Sequence, residues 1–245
     1  MKMQRGVIII ADISGYTNFV KMHAISMLHA EWVLSELMKV LTSSFTPPVT
    51  LNKLEGDAAL FFAPFKEGEE MAAIEKITKQ AILAYQEFKR TRDSFLNSNI
   101  CICGACLGMK NLTIKIVLCL GDTVEKKLLG KKELSGNVVI IAHRLLKNSI
   151  QTHEYILMDN HFYEHAKITF GHEAKMQNEM VDGYGETPVC FFDGEMLDSI
   201  IEKLPPSRRS IFRGFYQIFR VQYFMLRRGM GLLKKQAFTN LVAHK

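Results

Sequence analysis

The 245-residue chain reads as an α+β protein built on a ferredoxin-like split βαβ core with an enlarged sheet. Three observations predict this class. Short β-branched runs alternate with longer segments of helical periodicity. The elements follow the order β-α-β-β-α-β before further elements are added. Each change of element falls at Gly, Pro or charged turn residues, with no internal repeat or low-complexity tract.

Each element has its own reason. Gly6 to Ile13 is a continuous apolar, β-branched run and reads as a buried strand. From Thr17 to about Phe45, Val33, Leu37, Val40 and Leu41 recur at helical spacing until Pro47-Pro48 stops the helix. Val49 to Glu55 and Ala58 to Phe62 read as a hairpin turning at Gly56-Asp57. Glu67 to about Phe95 is a long amphipathic helix with a charged outer face. Leu112 to Leu120 alternates as a strand, and Asn137 to Leu146 is a helix opening after Gly136. Tyr155 to Met158 and Pro188 to Phe192 are short strands separated by a polar stretch of no clear periodicity.

Apolar residues make up 48% and charged residues 23% of the chain, an ordinary globular balance. Asp12 interrupts the first apolar run too early for a signal peptide, and no stretch approaches the roughly eighteen apolar residues of a membrane span. Five cysteines without an export signal are expected to be reduced thiols or metal ligands in a cytoplasmic protein. Charge divides the chain in two. Lys203 to Lys245 holds ten Lys or Arg and no acid; since the whole chain is +6, residues 1–202 carry −4. With Pro205-Pro206 as the boundary, this gives a body over 1–203 and a basic amphipathic tail over 204–245.

Chemistry concentrates in two segments, Ala11 to Val20 and Lys53 to Phe62. In each, an aspartate, Asp12 or Asp57, sits where an apolar strand meets a glycine. Two carboxylates on neighbouring strands can hold divalent cations through hard oxygen ligands. A helix starting near Thr17 sets free N–H groups beside them, where phosphates bind. Two acids, a metal and a helix N-terminus suggest a nucleoside triphosphate.

Asp12-Ile13-Ser14-Gly15-Tyr16-Thr17, Lys53-Leu54-Glu55-Gly56-Asp57, Ile114 to Val124, and Gly136 to Leu145 occur in one order. On these pieces, residues 7 to about 192 resemble the catalytic domain of class III nucleotide cyclases, the adenylate and guanylate cyclase family. More narrowly, they resemble an uncharacterised bacterial offshoot of it, a domain family of unknown function. The resemblance implies two Mg²⁺ or Mn²⁺ ions bridged by Asp12 and Asp57, with the Ile13 carbonyl as a further ligand. It implies that Gly15, Tyr16 and Thr17 cradle phosphates, and that Lys53 and Glu133 read the base, a pairing that suits ATP. Arg144 then stabilises the pentavalent phosphorus from across a homodimer. Two departures stand against turnover. Ile140 occupies the place of the family's asparagine, and Val181 to Glu186 offers acids where the family sends a lysine to the triphosphate. A degenerate domain that binds nucleotide and signals without turnover is the rival reading.

Alternatives stay open elsewhere. Asp12 alone could be a solvated strand-end acid, Lys53 an edge-strand charge, and Glu133 a solvated acid in a charged loop after Lys131-Lys132. Cys101, Cys103 and Cys106 form C-x-C-x-x-C, which fits either three ligands of a Zn²⁺ site or reduced thiols. In the tail, Phe212, Phe215, Phe219, Tyr223, Leu226, Met230 and Leu233 step helically, with Arg213, Arg220 and Arg227 every seven residues. Such a helix lies on an anionic membrane surface, docks to an acidic partner, or packs on its own body or a second copy. No nucleic-acid module accompanies the charge, so nucleic acid is the weakest partner class. The expected location is cytoplasmic, at the inner membrane surface if the tail engages lipid.

Overall fold

The structure is a computed structural model. It describes residues 1–16, 19, 24–66, 68–98, 104–128 and 130–201, together with 219, 223, 226 and 230. Thr17, Cys101, Cys103 and most of the basic tail lie outside the described residues.

Eight strands form one sheet: β1 (Lys2–Ser14), β2 (Thr50–Glu55), β3 (Ala58–Pro64), β4 (Thr113–Leu128), β5 (Lys131–Ser135), β6 (Tyr155–Asp159), β7 (Lys175–Val181) and β8 (Gly185–Asp193). The helices are α1 (Ala24–Ser44), α2 (Glu70–Ser98), α3 (Gly104–Gly108), α4 (Asn137–Leu145), α5 (Asn160–Phe170) and α6 (Gly194–Ile200). Strand order is β2-β3-β1-β4-β6-β8-β7, with β5 attached to β4. The β2-β3-β1-β4 portion is the expected split core: α1 carries the chain from β1 over to β2, and β3 inserts between them. Only β4 and β6 run parallel; the other pairs are antiparallel.

Alternation along β1 sorts its side chains onto two faces. Val7, Ile9, Ala11 and Ile13 enter a large core beneath α1, α2 and α5. Ile8 and Ile10 enter a smaller core under α4 alone, through Val138, Val139, Ala142 and Leu145. Gly121 makes that seat close, since a Cβ there would stand 3.1 Å from the Val138 Cβ. The two faces differ in consequence. The first is closed by helices, while the second leaves its Asp12 end beyond the cover of α4.

Several elements differ from the sequence-based expectation. β4 continues eight residues past Leu120 and turns back as the β5 hairpin, so Glu133 sits in a strand and not in a loop. Backbone pairing explains this: the charged half of β4 lies between Lys2–Arg5 of β1 and all of β5. The polar stretch before β8 contains α5 and β7. α5 is capped by Asp159, which accepts from the Phe162 N–H, and ends at Gly171 in the left-handed region.

Candidate functional site

Asp12 lies two residues before the end of β1 and pairs across the sheet with Ala58 of β3 and Lys115 of β4. Asp57 lies in the β2–β3 turn, where Gly56 takes φ 67°. Its carbonyl accepts from the Ile13 N–H at 3.1 Å, locking the turn against the end of β1. The two acids therefore meet from adjacent strands. Burial and the Asp57 charge together raise the Asp12 carboxyl to about 6, against a smaller opposing effect of Lys115. Two carboxyl groups close enough to interact in this way are hard oxygen donors. Among the described residues, no group of three or more His, Cys, Asp or Glu could hold a metal ion.

Gly15 turns the chain away from β1 at φ 88°, and a Cβ there would stand 2.6 Å from the Asn111 carbonyl oxygen. That approach and the positive φ both require glycine. The Gly15 carbonyl accepts from the Phe19 N–H at 3.1 Å. Tyr16 donates to Glu31 at 3.0 Å. Burial, then Glu31 and the charge of Asp57, push its hydroxyl up to about 12.

Lys53 and Glu133, far apart in sequence, do converge. Lys53 Nζ lies 3.7 Å from Glu133 and 2.8 Å from Glu55. The bond to Glu55 is the main reason the lysine pKa is raised. Asn52 donates to the Lys132 carbonyl at 3.3 Å, tying β2 to β5. Lys53, Asn52, Phe62, Glu133 and Leu134 line a cavity of about 280 Å³. Glu55 also faces α4, with its second oxygen 3.7 Å from His143 Nδ1. Sequence reasoning missed Glu55, although its i+2 spacing from Lys53 put it on the same strand face.

Arg144 projects from α4 to the β7–β8 turn, where its Nη1 stands 3.1 Å from Asp182 Oδ2. Nη1 is nevertheless buried without an aligned hydrogen-bond acceptor. Its guanidinium sits 5.9 Å from the Tyr184 ring centre, and Tyr184 donates to Asn137 at 3.1 Å. One turn thus grips both ends of α4. No sequence signal pointed to this grip. Ile140, one helical turn before Arg144, is 43% exposed and has no polar group to offer a ligand. Of the cysteine cluster, Cys106 is buried; the Zn²⁺ expectation otherwise falls on residues outside the described set.

A family model described as "Protein of unknown function (DUF2652)" matches residues 34–155. An uncharacterized protein of Mycobacterium tuberculosis is 32% identical over 143 residues, 58% of this chain and 65% of that relative. The adenylyl cyclase CyaB from P. aeruginosa superposes with a TM-score of 0.56 at 16% identity, covering 79% of this chain and 97% of that one. A bacterial light-regulated adenylyl cyclase gives 0.58 at 11%, covering 90% and 100%. The guanylate cyclase domain of RhGC from Catenaria anguillulae, solved in complex with GTP, gives 0.52 at 16%, covering 78% and 97%. The fold is therefore that of the class III nucleotide cyclase domains.

Proposed function

Proceeding from that fold, we propose that the chain is a metal-dependent nucleotide cyclase that converts a purine nucleoside triphosphate, ATP by preference, to its 3′,5′-cyclic monophosphate and pyrophosphate. The observation that carries the reading is the electrostatic meeting of Asp12 and Asp57 at the ends of two paired strands. Asp12, Asp57 and the Ile13 carbonyl hold the divalent cations, whose chemistry is activation of the ribose 3′-oxygen and neutralisation of the leaving pyrophosphate. Gly15, Tyr16 and Thr17 lie alongside the polyphosphate. Lys53 donates to N1 of adenine, and Glu133 accepts from the 6-amino group. Glu55 holds the lysine in place from the same strand face. Arg144 leaves Asp182 for the phosphorus of a nucleotide bound with the partner copy's acids, so the working unit is a homodimer.

The purified chain incubated with Mn²⁺ and each of the four triphosphates is expected to release one cyclic purine product, lost in Asp57→Ala. Ile140 and the Asp182 contact favour a second reading, a domain that binds nucleotide and signals without turnover. Metal-dependent binding with no product from any of the four would establish it.

Ile140 offers a gain-of-function test. One hydrogen-bond donor to the reacting centre is worth on the order of 10²-fold in rate. Because the side chain is 43% exposed, replacing it leaves no cavity. Ile140→Asn is expected to raise turnover by about ten- to a hundredfold with unchanged melting temperature. An unchanged or lower rate would mean that position 140 does not face the substrate.

A further inference from the structure

Two carboxylates compete for one ammonium in the cavity between β2 and β5. Lys53 Nζ stands 2.8 Å from Glu55 Oε1 and 3.7 Å from Glu133 Oε2. The first distance is that of a charge-assisted hydrogen bond, and the second lies beyond one. A second ionic pair lining the cavity is closed on itself, with Lys132 3.2 Å from Glu125. Lys53 is thus one cation between two acids, and Glu55 holds it. The fold keeps Glu55 in place for this. β2 pairs it with Ala58 of β3 just before the Gly56 turn, and it shares a strand face with Lys53. Its other oxygen looks across to α4, 3.7 Å from His143 Nδ1. Lys53, Glu55 and Glu133 are partly open, with side chains 40%, 33% and 32% exposed, so a ligand can reach them.

Resting on the base contacts proposed above, we infer that Glu55 is a positioning residue that sets base specificity: by holding Lys53 it keeps the Glu133 carboxylate free for the 6-amino group of adenine. An ammonium on a flexible four-carbon stem has no fixed direction of its own. Without Glu55, Lys53 closes the 3.7 Å gap and pairs with Glu133. Donor and acceptor then satisfy each other, and neither reads a base. With Glu55 in place, one N–H of the ammonium is taken and another serves N1 of adenine. Glu133 keeps its lone pairs for the amino group. Phe62 and Leu134 give the ring apolar walls. A donor and an acceptor fixed in this order match adenine. Guanine sets an N1–H against the donor and a 6-oxo group against the acceptor, so it is refused.

Titration of the full chain with ATP and with purine riboside triphosphate, which lacks only the 6-amino group, tests this in Mn²⁺ by binding alone. The native chain is expected to bind ATP about tenfold more tightly than the analogue, the worth of one charge-assisted hydrogen bond. In Glu55→Leu both nucleotides lose the N1 contact, and only ATP loses the amino contact as well. The preference for ATP is therefore expected to vanish. Glu55→Gln, which keeps the shape and an acceptor for Lys53, should fall between the native chain and Glu55→Leu. Both variants should melt within about 3 °C of the native chain, because a partly exposed ion pair adds little to stability. If Glu55→Leu does not fold, Glu55→Gln decides by the same comparison. A native preference that survives in the variant overturns the role of Glu55 and leaves the cyclase reading standing. So does equal binding of the two nucleotides by the native chain. Binding of neither nucleotide by the native chain overturns the cyclase reading, and the role of Glu55 with it.

Discussion

Asp12→Asn is expected to abolish turnover while making the metal-free protein more stable at neutral pH. Removing a ligand of the reacting cations costs on the order of 10³-fold or more in rate. The stability effect runs the other way, and its sign follows from the proton. Burial and Asp57 raise the Asp12 carboxyl from 3.8 to about 6, so the folded state holds that proton more tightly than the unfolded chain does. The stabilisation this proton contributes is fully present below about pH 3.8 and is lost as pH rises through about 6. Above that, the native protein carries a charge that its surroundings disfavour, by roughly 3 kcal/mol, and asparagine does not. For a chain of this size, the gain is a melting temperature higher by about 5–10 °C at pH 8. Near pH 4 the difference should vanish. Added Mn²⁺ should raise the melting temperature of the native chain and not of the variant. Melting curves in chelator and in Mn²⁺ between pH 4 and 8 check all of this. If Mn²⁺ stabilised both proteins equally, Asp12 would not be a ligand.

Arg144→Ala carries the second large effect. The arginine faces an exposed Asp182 (its side chain 94% accessible), and an ion pair in that setting is worth only about 0.2–1 kcal/mol. A polyphosphate can therefore take the guanidinium from Asp182 at small cost. Once there, a fixed cation at the reacting phosphorus is worth on the order of 10²–10³ in rate. The alanine variant should lose that factor in kcat with little change in KM and a stability change within about 1 kcal/mol. Arg144→Lys should recover little, because the planar fork and its charge spread are lost. A kcat within tenfold of the native value would confine Arg144 to fastening the β7–β8 turn onto α4.

The sequence disclosed what local chemistry encodes. The β-branched run of β1, the Gly56-Asp57 turn and the periodicity of α2 and α4 were all readable, and they carry Asp12, Asp57 and Arg144. What escaped is held by distant partners. The outer half of β4 and all of β5 are too charged to look like strands, and β7 turns Met176 and Met180 to solvent; pairing with neighbouring strands makes these segments extended. For the same reason Glu133 looked like a loop residue until the hairpin brought it to Lys53. α5 did have local signals, an Asp before it and a Gly after it, but its polar composition hid them. The clasp of Asp182 and Tyr184 on α4 links segments some forty residues apart, and no periodicity records such a contact.

β1 is matched to β4 over thirteen consecutive residue pairs, from Lys2–Glu125 to Ser14–Thr113. Because side chains alternate strictly, sliding this ladder by a single step would turn Asp12 inward among the aliphatic residues beneath α1 and α2, and bring Ile13 out. A misassembled molecule is thus never a slightly weaker version of the correct one. It has no acid pair at all, and the same error puts a carboxylate among the aliphatic side chains that Ile13 occupied. Fidelity of the ladder and possession of the chemistry are one property, so any population of these molecules is sorted into competent and inert, with nothing between.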